Sequence, residues 1–176
     1  MVNPNLQKYR TRVFAALAFL MLLPITSASA QRVRTAPVRV IKFDQLKAMI
    51  DAQTDTTYIF NFWATWCAPC VKEFPNFQKI SKRYQSKKVR VIFVSLDFVK
   101  DLKKKLTPFV KEHAVTNDVY LLDEPDYNTW IDRVDSGWEG NLPSTLIINN
   151  ATGKRKIYPI EFTEAELESA LKEFIP

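Results

Sequence analysis

The chain has 176 residues, enough for one domain with a proper core, and shows no internal repeat or low-complexity tract. Three glycines exclude a Gly-rich phosphate cradle, and two cysteines with one histidine fall short of the four ligands of structural zinc. The net charge of +6 overstates the basicity of the folded part: residues 1–30 hold three of the 25 Lys and Arg and none of the 19 acids, which leaves 22 against 19, or +3.

In chain order, residues 1–30 read as a secretion signal. Lys8, Arg10 and Arg12 form a basic start, Val13–Leu23 is unbroken apolar sequence, and Ala28-Ser29-Ala30 has the small-x-small form of a cleavage site. The apolar stretch has 11 residues, against roughly 20 for a membrane-spanning helix. Cleavage after Ala30 is expected, with membrane association only if the signal is retained. No cysteine follows the apolar stretch, which argues against a lipid anchor.

Residues 31–37 form a short linker, and residues 38–176 the domain. Val38–Phe43 reads as a strand, and Asp44 as the cap of a helix with Leu46, Met49 and Ile50 on one face. Tyr58–Trp63 is apolar at almost every position, as in a strand covered on both faces. A helix over 68–86 follows, with Phe74, Phe77, Ile80 and Tyr84 at helical spacing and Pro75 removing one internal hydrogen bond. Val89–Leu96 is a further buried strand. Residues 100–114 are helical and interrupted by Pro108; Val119–Leu122 is a short strand and Tyr127–Val134 a short helix. Ser144–Ile148 and Lys154–Ile160 form a hairpin around Asn149–Gly153. Thr163 and Glu166 then make a capping box for a helix that buries Leu167, Ala170, Leu171 and Phe174, with Phe162 as its staple. Lys103–Lys105 and Lys154–Lys156 lack interleaved aromatics and read as solvated faces, so no nucleic-acid partner is expected.

The only cysteines, Cys67 and Cys70, stand where the strand ends and the helix begins. Residues three apart on a helical turn can close and reopen a small disulfide ring. So small a ring removes little chain entropy, which argues against a purely structural staple. A helix N-terminus favours thiolate, lowering a thiol from roughly 8.5 towards the roughly 3.5–7.5 range. Cys67, nearer the helix end, is the expected nucleophile, and Cys70, one turn deeper, the resolving thiol.

The stretch Asn61-Phe62-Trp63-Ala64-Thr65-Trp66-Cys67-Ala68-Pro69-Cys70, followed by Lys72-Glu73-Phe74-Pro75, resembles the thioredoxin-like proteins of the TlpA/ResA/CcmG type. Asn141-Leu142-Pro143-Ser144-Thr145 is similar to the cis-proline segment of that family. The resemblance covers residues 38–175 and implies an α/β thioredoxin fold: a central mixed sheet flanked by helices, with an α/β insertion between the βαβ and ββα halves. It implies an extracytoplasmic, in Gram-negative cells periplasmic, thiol–disulfide oxidoreductase that needs no cofactor beyond its redox-active cysteine pair. Its partners would be disulfides or dithiols of exported proteins and an upstream electron-donor thiol protein.

By the same resemblance, Glu73 is the active-site glutamate that handles the proton of Cys70. Many thioredoxins carry an aspartate at the position of Asn61, which cannot act as a base and is expected to satisfy interior backbone groups. Trp66, Ala68, Pro69, Leu142 and Pro143 would seat the partner, with a cis bond before Pro143 and the backbone of Leu142 as a strand to pair with. Trp63 is expected in the core, Trp138 and Glu139 along the same groove, and His113 at a helix end. Two other functions fit the fold. A copper-binding chaperone of the SCO type has CxxxC with a partnering histidine, and a thiol peroxidase has Pro-x-x-x-Thr-x-x-Cys; neither pattern surrounds Cys67.

Overall fold

The computed structural model describes residues 35–175; the expected signal, most of the expected linker and Pro176 lie outside the described residues. Among those residues six strands form one sheet: β1 Val38–Ile41, β2 Thr57–Trp63, β3 Val89–Ser95, β4 Asp118–Leu122, β5 Ser144–Asn149 and β6 Lys154–Tyr158. Their order is β1-β4-β3-β2-β5-β6. The first four in that order run parallel, and β5 and β6 pair antiparallel. This is the mixed sheet of a thioredoxin fold. The inserted segment contributes β4, which lies between β1 and β3.

Successive residues of a strand point to opposite faces, and β2 uses both. Ile59 and Trp63 face one core, where helices α2 (Ala68–Tyr84), α3 (Thr107–Glu112) and α5 (Glu164–Lys172) bury Phe74, Val110 and Leu171 against them. Phe60 and Phe62 face the other, closed by α1 (Phe43–Ile50) and α4 (Ile131–Val134) through Leu46, Ile50 and Val134. Each such side chain, fully buried, contributes about 1.5–3 kcal/mol of transfer free energy. The unbroken apolar character of β2 and β3 follows from this double cover. Strand β6, at the sheet edge, instead exposes Lys154, Arg155 and Lys156, charges that discourage pairing with another chain.

Local signals yield to tertiary contacts in three places. Asp44 does not cap α1: the cap is Lys42, whose N–H donates to Gln45 Oε1 at 2.9 Å, while Phe43 N–H donates to Glu124 Oε1 at 3.0 Å. Phe43 is buried, and a carboxylate brought from the end of β4 satisfies its donor. Around Pro108 the chain does not break. A π-helical turn over Leu102–Leu106 leads into α3, where Pro108 occupies the first turn and needs no donor. Residues 127–134 divide at Trp130 into a 3₁₀ turn, Tyr127–Thr129, and α4. Among the described residues no helix is long and apolar enough to cross a membrane.

Candidate active site

Strand β2 ends at Trp63 and α2 begins at Ala68, so Cys67 stands at the helix cap in extended conformation. Its Sγ accepts the Cys70 N–H at 3.4 Å, and Pro69 occupies the first turn, where a missing N–H costs nothing. Cys67 and Cys70 form a disulfide with their Cα atoms 5.3 Å apart. Cys67 keeps 7% exposure and Cys70 none, so Cys67 is the less buried of the two.

The turn ahead of Cys67 is fastened to the segment that follows β3. Leu96 N–H donates to Trp63 O at 2.8 Å, and Cys67 N–H to Ala64 O at 3.1 Å. Buried Asp97 accepts the Thr65 N–H at 3.0 Å on Oδ2, the Thr65 hydroxyl at 2.6 Å on Oδ1, and the Ser95 hydroxyl at 2.8 Å on Oδ2. Sequence reasoning did not single out Asp97. The available signal was an acid directly after the apolar run Val89–Leu96, at the same sheet end as the cysteines.

Across from the cysteines, Leu142–Pro143 is a cis peptide. Trp138 donates its indole N–H to Asn141 O at 3.1 Å, and the Ser144 hydroxyl donates to the same oxygen at 2.7 Å. Trp138 therefore does not line the groove as expected. Its ring is buried, 4.6 Å from Phe62 and 5.7 Å from Trp130 between centroids, and holds the loop from beneath. Gly140 adopts φ +81°, and a Cβ there would lie 2.5 Å from Ile131 Cδ1. The positive φ favours glycine, whereas the Ile131 methyl, at the end of a flexible side chain, could move aside.

Between these walls runs a groove of about 610 Å³ bordered by Trp66, Cys67, Pro69, Tyr127, Glu139 and Leu142, among others. Ala68 also lines it, whereas Pro143 is buried behind Leu142. Trp66 is 56% exposed, unusual for a tryptophan and apt for an apolar rim. Trp63, by contrast, is fully buried against Phe74 and Phe109, as expected. His113 ends α3 with its ring 4.1 Å from that of Phe109, and among the described residues no cluster of three or more His, Cys, Asp or Glu could hold a metal.

Glu73 lies one helical turn beyond Cys70 and is 1% exposed. Burial pushes its carboxyl up to about 7; the Phe162 N–H and the Asn61 amide, which favour the charged form, offset this in part, and nearby Glu161 adds to the rise. Phe162 N–H donates to Oε2 at 2.7 Å and Asn61 Nδ2 to Oε1 at 2.9 Å. Asn61 thus serves a carboxylate and not the backbone groups expected from sequence. Its Nδ2 also lies 3.3 Å from Thr145 Oγ1, its neighbour across the strand pair.

Residues 42–153 match the AhpC/TSA family. The thioredoxin-like protein YneN of Bacillus subtilis is 28% identical over 117 residues, covering 64% of this chain and 62% of YneN. The thiol-disulfide oxidoreductase ResA of the same organism is 34% identical over 89 residues, 51% of this chain and 45% of ResA. The chain thus spans less than two thirds of these relatives. Among solved structures, a thioredoxin-family thiol:disulfide interchange protein from Chlorobium tepidum TLS superposes with TM-score 0.58 at 19% identity, over 81% of this chain and 98% of that one. A thioredoxin-related protein from Neisseria meningitidis serogroup B gives 0.55 at 27% identity, over 69% and 86%. By the family match the chain belongs to the AhpC/TSA family, and its fold is thioredoxin-like.

Proposed function

We propose that the protein is an extracytoplasmic thiol–disulfide oxidoreductase that reduces disulfides in exported proteins. One observation carries the reading: the Cys67–Cys70 disulfide caps α2 with Cys67 open to the groove and Cys70 closed behind it. The relatives named thiol-disulfide oxidoreductase support it, and the signal-like residues 1–30 support export.

In the reduced protein the Cys67 thiolate attacks a partner disulfide. A mixed disulfide forms, and the second partner sulfur leaves with the electron pair. Cys70 then gives its proton to Glu73 and attacks Cys67 Sγ. The Cys67–Cys70 bond forms, the bond to the partner breaks, and the partner leaves with both sulfurs reduced. Two electrons have passed, and an upstream dithiol protein restores the cysteines. Trp66, Ala68, Pro69 and Leu142 form the seat for the partner, Pro143 shapes it from behind, and the backbone of Leu142 offers a strand to an extended segment.

Cys70→Ser tests this directly. It should trap exported proteins on Cys67 as mixed disulfides, and the reduced wild type should reduce insulin. Tight stoichiometric Cu(I) binding without insulin reduction would instead establish a copper chaperone. N-terminal sequencing of protein from the extracytoplasmic fraction checks export and cleavage after Ala30.

A further inference from the structure

Buried polar atoms are nearly always paired, so the exceptions ask for a reason. Asn61 is fully buried on one face of β2, between Ile59 and Trp63. Its Nδ2 holds Glu73 Oε1, while its Oδ1 is buried without a hydrogen-bond partner. The acceptor end of the amide is idle beside a carboxyl that takes and gives a proton in the reading above, on which this inference rests.

The two oxygens of Glu73 face donors of different kinds. Oε2 accepts the main-chain N–H of Phe162, a donor that cannot reverse. Oε1 accepts a carboxamide, which can. Oε1 is therefore the better seat for an arriving proton, and a hydroxyl there turned towards Asn61 would meet its N–H head-on. Rotation of the amide by half a turn removes that clash, because the terminal torsion of Asn is broad and roughly two-fold. Oδ1 then accepts from the Glu73 hydroxyl. Thr145 Oγ1 can follow, since a hydroxyl that now accepts from Nδ2 at 3.3 Å can equally donate to Oδ1. Either orientation leaves one end of the amide unpartnered, so the choice is made at the other end, by the charge on Oε1.

We propose that Asn61 is a positioning residue whose side-chain amide turns over with the protonation of Glu73, donating to the carboxylate and accepting from the acid. Asn61 thereby keeps Glu73 in one place through both halves of the proton transfer from Cys70. The other titratable groups around Glu73 are Glu161 with its ion-pair partner Lys72 at 2.6 Å, and Tyr158 on β6, which packs on Phe162; Cys70, on its own helix, is held in the disulfide. None of them stands between Asn61 and Oε1 as a hydrogen-bond partner of either.

The test is a pH titration of the disulfide form by NMR, following the Glu73 carboxyl carbon and the Asn61 side-chain NH2 from about pH 4 to about pH 9. The two should move together with one midpoint near pH 7, and the proximity of the NH2 to Thr145 Oγ1–H should be lost on the acid side. In Glu73→Gln the Asn61 resonances should stay still. A Glu73 that titrates beside a motionless Asn61 overturns the proposal, as does a Glu73 with no titration in this range, or an Asn61 that still moves in Glu73→Gln. No thiol exchange is involved in these readouts. If Glu73→Gln left the pH dependence of exchange unchanged while the coupled titration persisted, the role of Glu73 in catalysis would fall and the amide switch would stand.

Discussion

The Phe162 N–H donates to Glu73 Oε2 at 2.7 Å, so the loop that enters α5 holds the carboxyl behind the cysteines. That bond favours the carboxylate, yet burial outweighs it and raises the folded value from 4.5 to about 7. Between those values the folded protein keeps a proton that the unfolded chain releases. The stability contributed by this group is therefore complete below about pH 4.5 and is lost as pH rises to about 7. Glu73→Gln has no such slope. From pH 4.5 to pH 8 the variant should gain on the order of 3 kcal/mol relative to wild type. Urea unfolding of both disulfide forms at the two pH values measures this gap, and a constant gap would show that burial does not raise Glu73.

Asp97 holds the turn before Cys67 by accepting three donors from Thr65 and Ser95. Asp97→Asn replaces one acceptor oxygen by an NH2 that faces those donors. The expected loss is about 1–3 kcal/mol of stability, the cost of unsatisfied buried groups. Thr65→Val removes only the hydroxyl bond and should cost about 1 kcal/mol. Chemical denaturation ranks the two variants, and the order Thr65→Val above Asp97→Asn in cost would refute the anchoring role.

Much of this arrangement was legible in the sequence where the signal is local. The strand and helix around Cys67 and Cys70 follow from a continuous apolar run and helical spacing, and the Thr163–Glu166 capping box forms as expected, with Thr163 N–H donating to Glu166 Oε2 at 2.9 Å. The settings of Phe43 and Asp97 are not legible in the sequence, for one reason. Their partners, Glu124 and Thr65, lie 81 and 32 residues away, and no periodicity reports a hydrogen bond across the sheet end. Trp138 shows the same limit. Beside a predicted groove its sequence position suits rim and support equally, and only packing on Phe62 decides between them.

Trp138 joins the core to the loop before Pro143 through one hydrogen bond, from its indole N–H to Asn141 O. Trp138→Phe keeps an aromatic ring against Phe62 but loses that donor. The expected cost is about 1 kcal/mol in stability for the bond, plus a share for the smaller ring. Because the loop carries Leu142 into the groove, reduction of protein disulfides should lose more through KM than through kcat. Steady-state insulin reduction separates the two parameters, and a loss confined to kcat would contradict a seating role for the loop.

Trp66 is the most exposed aromatic of the groove, 56% open beside Cys67. Its removal should leave the fold nearly untouched, since exposed substitutions usually stay within about 0.5 kcal/mol. A partner that covers the exposed part buries about 100 Å² of tryptophan, worth about 2.5 kcal/mol at about 25 cal/mol/Å². Trp66→Ala should thus weaken reduction of a protein disulfide by about 10- to 100-fold in kcat/KM. A small dithiol such as dithiothreitol reaches the Cys67–Cys70 disulfide without needing that platform. The loss with protein substrate should exceed the loss with dithiothreitol by at least about tenfold. Equal losses would mean that Trp66 acts on the reactivity of Cys67 itself, because only an effect on the sulfur is shared by both reactions.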